Sequence, residues 1–125
     1  EDEINFLCDY NSVVYTGTHD NNTMIGWFKD DLGVAGKEII KEHLTSKVRP
    51  CKSEDLLIEF AYSTRARVVM IPLQDFLALD SNARMNLPGS VENNWLWQCK
   101  KDDLSNELAE KIKEKVLYYK RNTKN

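Results

Sequence analysis

The sequence predicts an α/β fold, and predicts that this chain is a piece of one. Val13-Val14-Tyr15 and Val68-Val69-Met70-Ile71 are short runs of β-branched and large apolar residues. Such runs read as strands buried on both faces, the pattern of parallel sheets. Helical patterns separate the two runs and follow the second. Two strands of this kind cannot cover both faces of a sheet and satisfy both its edges. The pattern therefore calls for further strands.

The first run turns at Gly17 into the small polar cluster Thr18-His19-Asp20-Asn21-Asn22-Thr23. A helix is expected from about Asn22 to Asp31, capped by Asn22 or Thr23 and ended by Gly33. A second helix has Ile39, Ile40, His43 and Leu44 on one side, and Pro50 breaks the chain after it. A third starts near Ser53, with Glu54 and Asp55 in the first turn, where the helix dipole favours them. Its apolar face is Leu56, Leu57, Phe60 and Ala61.

Beyond the second strand, Pro72 stops the run and Asp75 suits the cap of a short helical turn. The polar stretch Asp80 to Asn94 is long enough for a functional loop. It leads into Trp95-Leu96-Trp97, whose two indoles share a side if the segment is extended. An amphipathic helix over about residues 103–121 carries Leu104, Leu108, Ile112, Val116 and Tyr119 at near-heptad spacing.

Composition narrows the function. The 125 residues carry a net charge of −3, which argues against nucleic acid as a partner. The mildly basic tail from Gln98 onward reads as a solvated helix face. No apolar run reaches the ~18–20 residues of a membrane span. The acidic start lacks the basic and apolar regions of a signal peptide. Cys8, Cys51 and Cys99 are odd in number and widely spaced, as expected of reduced thiols in a cytoplasmic protein. With His19 and His43 as the chain's two histidines, a His-rich metal site is not expected, and no cofactor is expected.

The chemistry concentrates at His19-Asp20, where a strand gives way to a helix. That is the rim at which α/β folds bind ligands. Asp20 reads either as a rim carboxylate or as one of four turn and cap residues with Asn21, Asn22 and Thr23. His19 reads as a donor to a substrate hydroxyl or as a satisfied turn residue, and His43 as core or surface. Trp95, Trp97, Trp27, Tyr10 and Tyr15 offer either stacking faces for a sugar ring or core packing. Arg84 and Asn86 stand in the long loop, where Asn also serves local backbone groups. Retaining glycosyl transfer needs two carboxylates flanking the bond, and one is visible at the rim. Chemistry alone reaches an active-site fragment.

Three motifs in order carry a family resemblance. Val13 to Thr23 with Gly26-Trp27 resembles the region around the seventh barrel strand of 4-α-glucanotransferases, the amylomaltases or disproportionating enzymes. Ile71-Pro72-Leu73-Gln74-Asp75, then Ala83-Arg84-Met85-Asn86 and Pro88-Gly89, resembles the eighth strand and its active-site loop. Asn94-Trp95-Leu96-Trp97 resembles the Asn-Trp-x-Trp element before the last helix. Departures are Phe6-Leu7-Cys8-Asp9-Tyr10 where the family usually shows Leu-Pro-His-Asn, Asn22 where Asp is common, and Gln98 where Arg is frequent.

The resemblance implies the C-terminal portion of a (β/α)8 TIM-type barrel, holding its last two strands. It implies transfer of α-1,4-glucan segments to glucose or another glucan by a retaining double displacement. The nucleophile and the acid/base would lie on earlier strands, outside this chain. Asp20 would be the third carboxylate, the transition-state stabiliser, and should remain solvated enough to stay ionised. His19 would hydrogen-bond the sugar at the cleavage point and Asn86 would line the glucan groove. Arg84 and Trp95 complete the expected substrate-binding set. The expected partners are maltooligosaccharides and the remainder of the barrel. The other readings are a non-catalytic glucan-binding module and a structural fragment that self-associates.

Overall fold

The computed structural model describes residues 9–122, so Cys8 and the departure at Phe6-Leu7 lie outside it. Strand β1 (Val13–Tyr15) pairs in parallel with β2 (Val68–Met70), Val13 opposite Val68, Val14 opposite Val69 and Tyr15 opposite Met70. The crossover holds α1 (Met24–Gly26), which continues as a π-helical turn over Trp27–Asp31. It also holds α2 (Val34–Thr45) and α3 (Leu56–Ser63), the latter entered through a 3₁₀ turn at Ser53–Asp55. After β2 come the short α4 (Leu73–Phe76), a long loop and α5 (Asn106–Tyr118).

Local chemistry sets the boundaries. Thr23 rather than Asn22 caps α1, its hydroxyl accepting the Gly26 N–H at 3.0 Å. Gly33 does not end that helix. The Leu32 N–H closes the π turn on the Trp27 carbonyl at 3.1 Å, and Gly33 precedes α2 as its cap. The last helix starts later than expected because Asp103 sits in a 3₁₀ turn and the Ser105 hydroxyl accepts from Leu108 N–H at 3.1 Å. It stops at Tyr118, and Lys120 beyond it takes a left-handed φ of 55°.

The core gathers around Met24, Ile58 and Tyr62, with Val69 of β2, Phe76 of α4, and Val116 and Tyr119 of the C-terminal helix against it. Full burial of a side chain such as Ile58 contributes roughly 1.5–3 kcal/mol. On α3 the buried residues are Leu56, Ile58, Glu59, Ala61 and Tyr62. Leu57 and Phe60, expected on the apolar face, are half-buried. They border an open depression along β1 instead. His43 is exposed. Arg121 holds the end of α3, donating at 2.8 Å to the carbonyls of Tyr62, Thr64 and Ala66.

The strands are not buried on both faces. Val14 and Val69 are half-buried, Val69 against the core and Val14 on the depression beside α3, while Val13, Tyr15, Val68 and Met70 are exposed at 45%, 54%, 41% and 52%. Side chains alternate along a strand, and the register places these four on one face in two cross-strand pairs. Among the described residues the sheet has two strands, so nothing in them covers that face.

Candidate active site

The parallel pairing brings the loops after β1 and β2 to one end of the sheet, the C-terminal ends of its strands. In the first loop, turn and cap duties fall on particular residues. Asn21 Oδ1 accepts from the Thr18 N–H at 2.8 Å and the Thr18 hydroxyl at 3.0 Å. Thr23 caps α1. The Asp20 carboxylate does neither job and faces outward, its side chain 52% exposed.

The second loop supplies its partners. Asn86 Nδ2 donates to Asp20 Oδ1 at 2.8 Å. His19 Nε2 stands 3.4 Å from Asp20 Oδ2. Arg84 clamps the two loops through their backbones, Nη2 donating to the Asp20 carbonyl at 2.9 Å and Nε to the Asn86 carbonyl at 2.8 Å. The Asn86 N–H closes the bridge on the His19 carbonyl at 3.1 Å.

Trp95 returns to the same place. Its N–H bonds to the Met85 carbonyl at 2.6 Å, and its ring lies 5.1 Å from the His19 ring. Asn94 holds this return, with Oδ1 accepting the Leu87 N–H at 2.9 Å and Nδ2 donating to the Ser90 hydroxyl at 3.0 Å. Trp95 takes a φ of 60°, so the segment does not meet the extended condition on which the two indoles would share a side. Asp20, His19, Asn86, Arg84 and Trp95 thus stand in one network.

Of the other aromatic candidates, Tyr15 and Trp27 line the open depression of roughly 590 Å³ that also touches Asp20 and Arg84. Tyr10 is at the opposite end of the sheet, its carbonyl accepting from Arg67 N–H at 2.8 Å just before β2.

Sequence reasoning missed the part played by Asp75. It does not cap its own turn. It is 2% exposed, and its carboxylate accepts the Thr16 hydroxyl at 2.7 Å and the Met24 N–H at 2.8 Å. Burial raises its pKa, and these two bonds oppose the shift. Two further acids of this end are also engaged. Asp31 accepts from Asn22 at 3.1 Å and Asp30 from the Ser81 hydroxyl at 2.5 Å. The network therefore presents Asp20 as an outward-facing carboxylate whose orientation a fixed amide donor sets. Such a group suits a substrate hydroxyl or a centre that gains positive charge. No group of three or more His, Cys, Asp or Glu side chains among the described residues is arranged to hold a metal. No helix there is long and apolar enough to cross a membrane.

The chain is similar to known proteins over most of its length. The family model described as 4-alpha-glucanotransferase matches residues 4–105. A 4-alpha-glucanotransferase of Streptococcus pneumoniae is 33% identical over 95% of this chain and 23% of its own length. The chloroplastic/amyloplastic 4-alpha-glucanotransferase of Oryza sativa subsp. japonica is 41% identical over 90% of the chain and 19% of its own. The amylomaltase of Streptococcus agalactiae, solved in complex with acarbose, superposes with a TM-score of 0.85 at 28% identity. That match covers 97% of this chain and 24% of the neighbour. The chain spans less than a quarter of the length of these relatives. With the parallel pairing and the rim network in place, the family match is decisive: the chain belongs to the 4-alpha-glucanotransferases, a family of glycosyl-transferring enzymes.

Proposed function

We propose that this chain is the C-terminal portion of a 4-α-glucanotransferase barrel, supplying the last two strands and one of three catalytic carboxylates. The carrying observation is the Asp20–Asn86 bond, which joins two loops at the C-terminal ends of adjacent parallel strands. In (β/α)8 barrels that end holds the active site. Asp20 stabilises the oxocarbenium-like transition state, because a preorganised carboxylate gains most when the ring becomes positively charged. His19 donates to a sugar hydroxyl. Asn86 and Arg84 fix the wall of the glucan groove, and Trp95 offers an exposed ring to a sugar face. The neighbour's complex with acarbose supports maltooligosaccharide binding.

The nucleophile and acid/base come from the remainder of the barrel, which also covers the open face of the sheet. No cofactor takes part. The free, exposed Cys51 and Cys99 fit a reducing cytoplasm.

Two measurements test the reading. The isolated chain, incubated with maltotriose, releases no glucose, and clear turnover would overturn the division of labour. Grafted in place of the matching segment of the Streptococcus pneumoniae relative, the chain supports transfer. Asp20→Asn in that chimera lowers kcat by about 10²–10³-fold, the scale for loss of a transition-state electrostatic group, with a modest change in KM. A near-normal kcat would remove Asp20 from the mechanism.

A further inference from the structure

His19 and Asp20 sit on a loop that leaves β1 at Thr16 and enters α1 at Met24. Both ends of this loop are tied to one carboxylate. Asp75 takes the Thr16 hydroxyl on Oδ2 at 2.7 Å and the Met24 N–H on Oδ1 at 2.8 Å. It reaches across 59 residues to the first and 51 to the second, from the turn that follows β2. Asp75 itself is 2% exposed, and in such low-dielectric surroundings its bonds hold their geometry more firmly than surface bonds would. The far side of the loop has a different anchor, the Arg84 clamp on the Asp20 carbonyl.

We propose that Asp75 is a positioning residue for glucan transfer: by clasping the two ends of the Thr16–Met24 loop it sets where His19 and Asp20 stand at the rim. The kinetic part of this assignment rests on the function proposed above, whereas the structural part does not. A buried carboxylate is a costly way to hold a loop, since burial disfavours its charge. It is suited to one because a single side chain can take two donors in fixed directions. Asparagine keeps one oxygen for the Met24 N–H, and its amide can donate to the Thr16 hydroxyl, so it preserves the clasp. Alanine removes both bonds. Valine at position 16 removes one, at nearly constant volume.

The first test reads position directly. In the 125-residue chain, the His19 ring protons report the Trp95 ring 5.1 Å away. Asp75→Ala and Thr16→Val shift these resonances, and Asp75→Asn leaves them near their original values. Unmoved His19 resonances in folded Asp75→Ala or Thr16→Val overturn the proposal, whatever the enzyme does.

The second test uses the chimera with the Streptococcus pneumoniae relative. Asp75→Ala lowers kcat by about tenfold or more, the scale of a sub-ångström to ångström misplacement, with KM changing far less. Asp75→Asn recovers most of the loss. Thr16→Val and Asp75→Ala combine less than additively, as members of one network do. Equal kcat per folded molecule in Asp75→Ala would reduce Asp75 to a stabilising contact. A chimera that transfers no glucan in any form would instead count against the proposed function and leave the resonance result to judge Asp75.

Discussion

A single hydrogen atom at position 26 decides how the loop after β1 meets the loop after β2. A Cβ on Gly26 would stand 2.4 Å from Asn22 Oδ1 and 2.5 Å from the Ser81 hydroxyl. Those atoms cannot easily retreat, since Asn22 Nδ2 is bonded to Asp31 and to Ser81, each at 3.1 Å. Alanine in a helix normally gains roughly 0.5–1 kcal/mol over glycine. Here the overlap outweighs that gain, and Gly26→Ala is expected to destabilise the chain by about 1–3 kcal/mol. Urea denaturation followed by circular dichroism measures it, and a stabilised variant would show that the Asn22–Ser81 contact yields freely. At this scale the sequence was informative wherever a residue type has one use at one place. Asp20 reads either as a rim carboxylate or as a turn and cap residue, and the structure gives the turn and cap duties to Thr18, Asn21 and Thr23. Asp75 did not stand out, because an aspartate after Pro-Leu-Gln looks like a turn cap. Its partners lie more than 50 residues away, a distance that composition and periodicity do not bridge.

Among the elements, α3 shows why helical periodicity gave a partial answer. It correctly located an apolar helix after Ser53, but the face it named includes Leu57 and Phe60, which border the depression along β1. The helix is buried on another side as well, where Glu59 lies at 1% exposure. A buried glutamate has no apolar signature, and its partner comes from the linker before the helix. Arg49 Nε and Nη2 both reach Glu59 Oε1 at 3.0 Å, and Nη1 extends to Glu114 on α5 at 3.2 Å. The guanidinium also lies over the Tyr118 ring at 4.3 Å from its centre. Glu59 raises the Arg49 pKa further, against the smaller opposing effect of burial. Arg49→Met leaves the Glu59 carboxylate buried without its counter-charge, and is expected to cost about 3–5 kcal/mol. Glu114→Gln, at the 70% exposed end of the network, should change the denaturation midpoint little. Adding Glu59→Gln to Arg49→Met should restore part of the loss. A midpoint for Arg49→Met that matches the parent would mean that the pair adds nothing to the packing around it.

For the molecule as a whole, the open face of the sheet governs behaviour in solution. The sequence announced two parallel strands that could not complete a sheet, and the structure contains that pair in register. What it could not announce was which side of the pair the chain's own helices would cover, because Val-Val-Tyr and Val-Val-Met are apolar at every position. Val69 packs against the core, and Val14 borders the depression between β1 and α3. Val13, Tyr15, Val68 and Met70 form one exposed apolar patch, beside two strand edges that are unpaired among the described residues. A patch of this kind, with open backbone donors and acceptors at its margins, drives association. The isolated chain is therefore expected to sediment as a dimer or larger species at micromolar concentration. Tyr15→Lys with Met70→Lys places two charges on that face, Tyr15 also bordering the depression that reaches Asp20, and should shift the chain toward monomer. In the chimera with the Streptococcus pneumoniae relative the same two lysines would face the barrel interior. There they should abolish soluble, active enzyme, because an unpaired buried charge costs more than one domain's margin of stability allows. Opposite responses to one pair of substitutions separate a face that belongs inside a barrel from one that is merely sticky. A chain that sediments as a monomer before any substitution, or a chimera that tolerates both lysines, would show that this face has no missing neighbour.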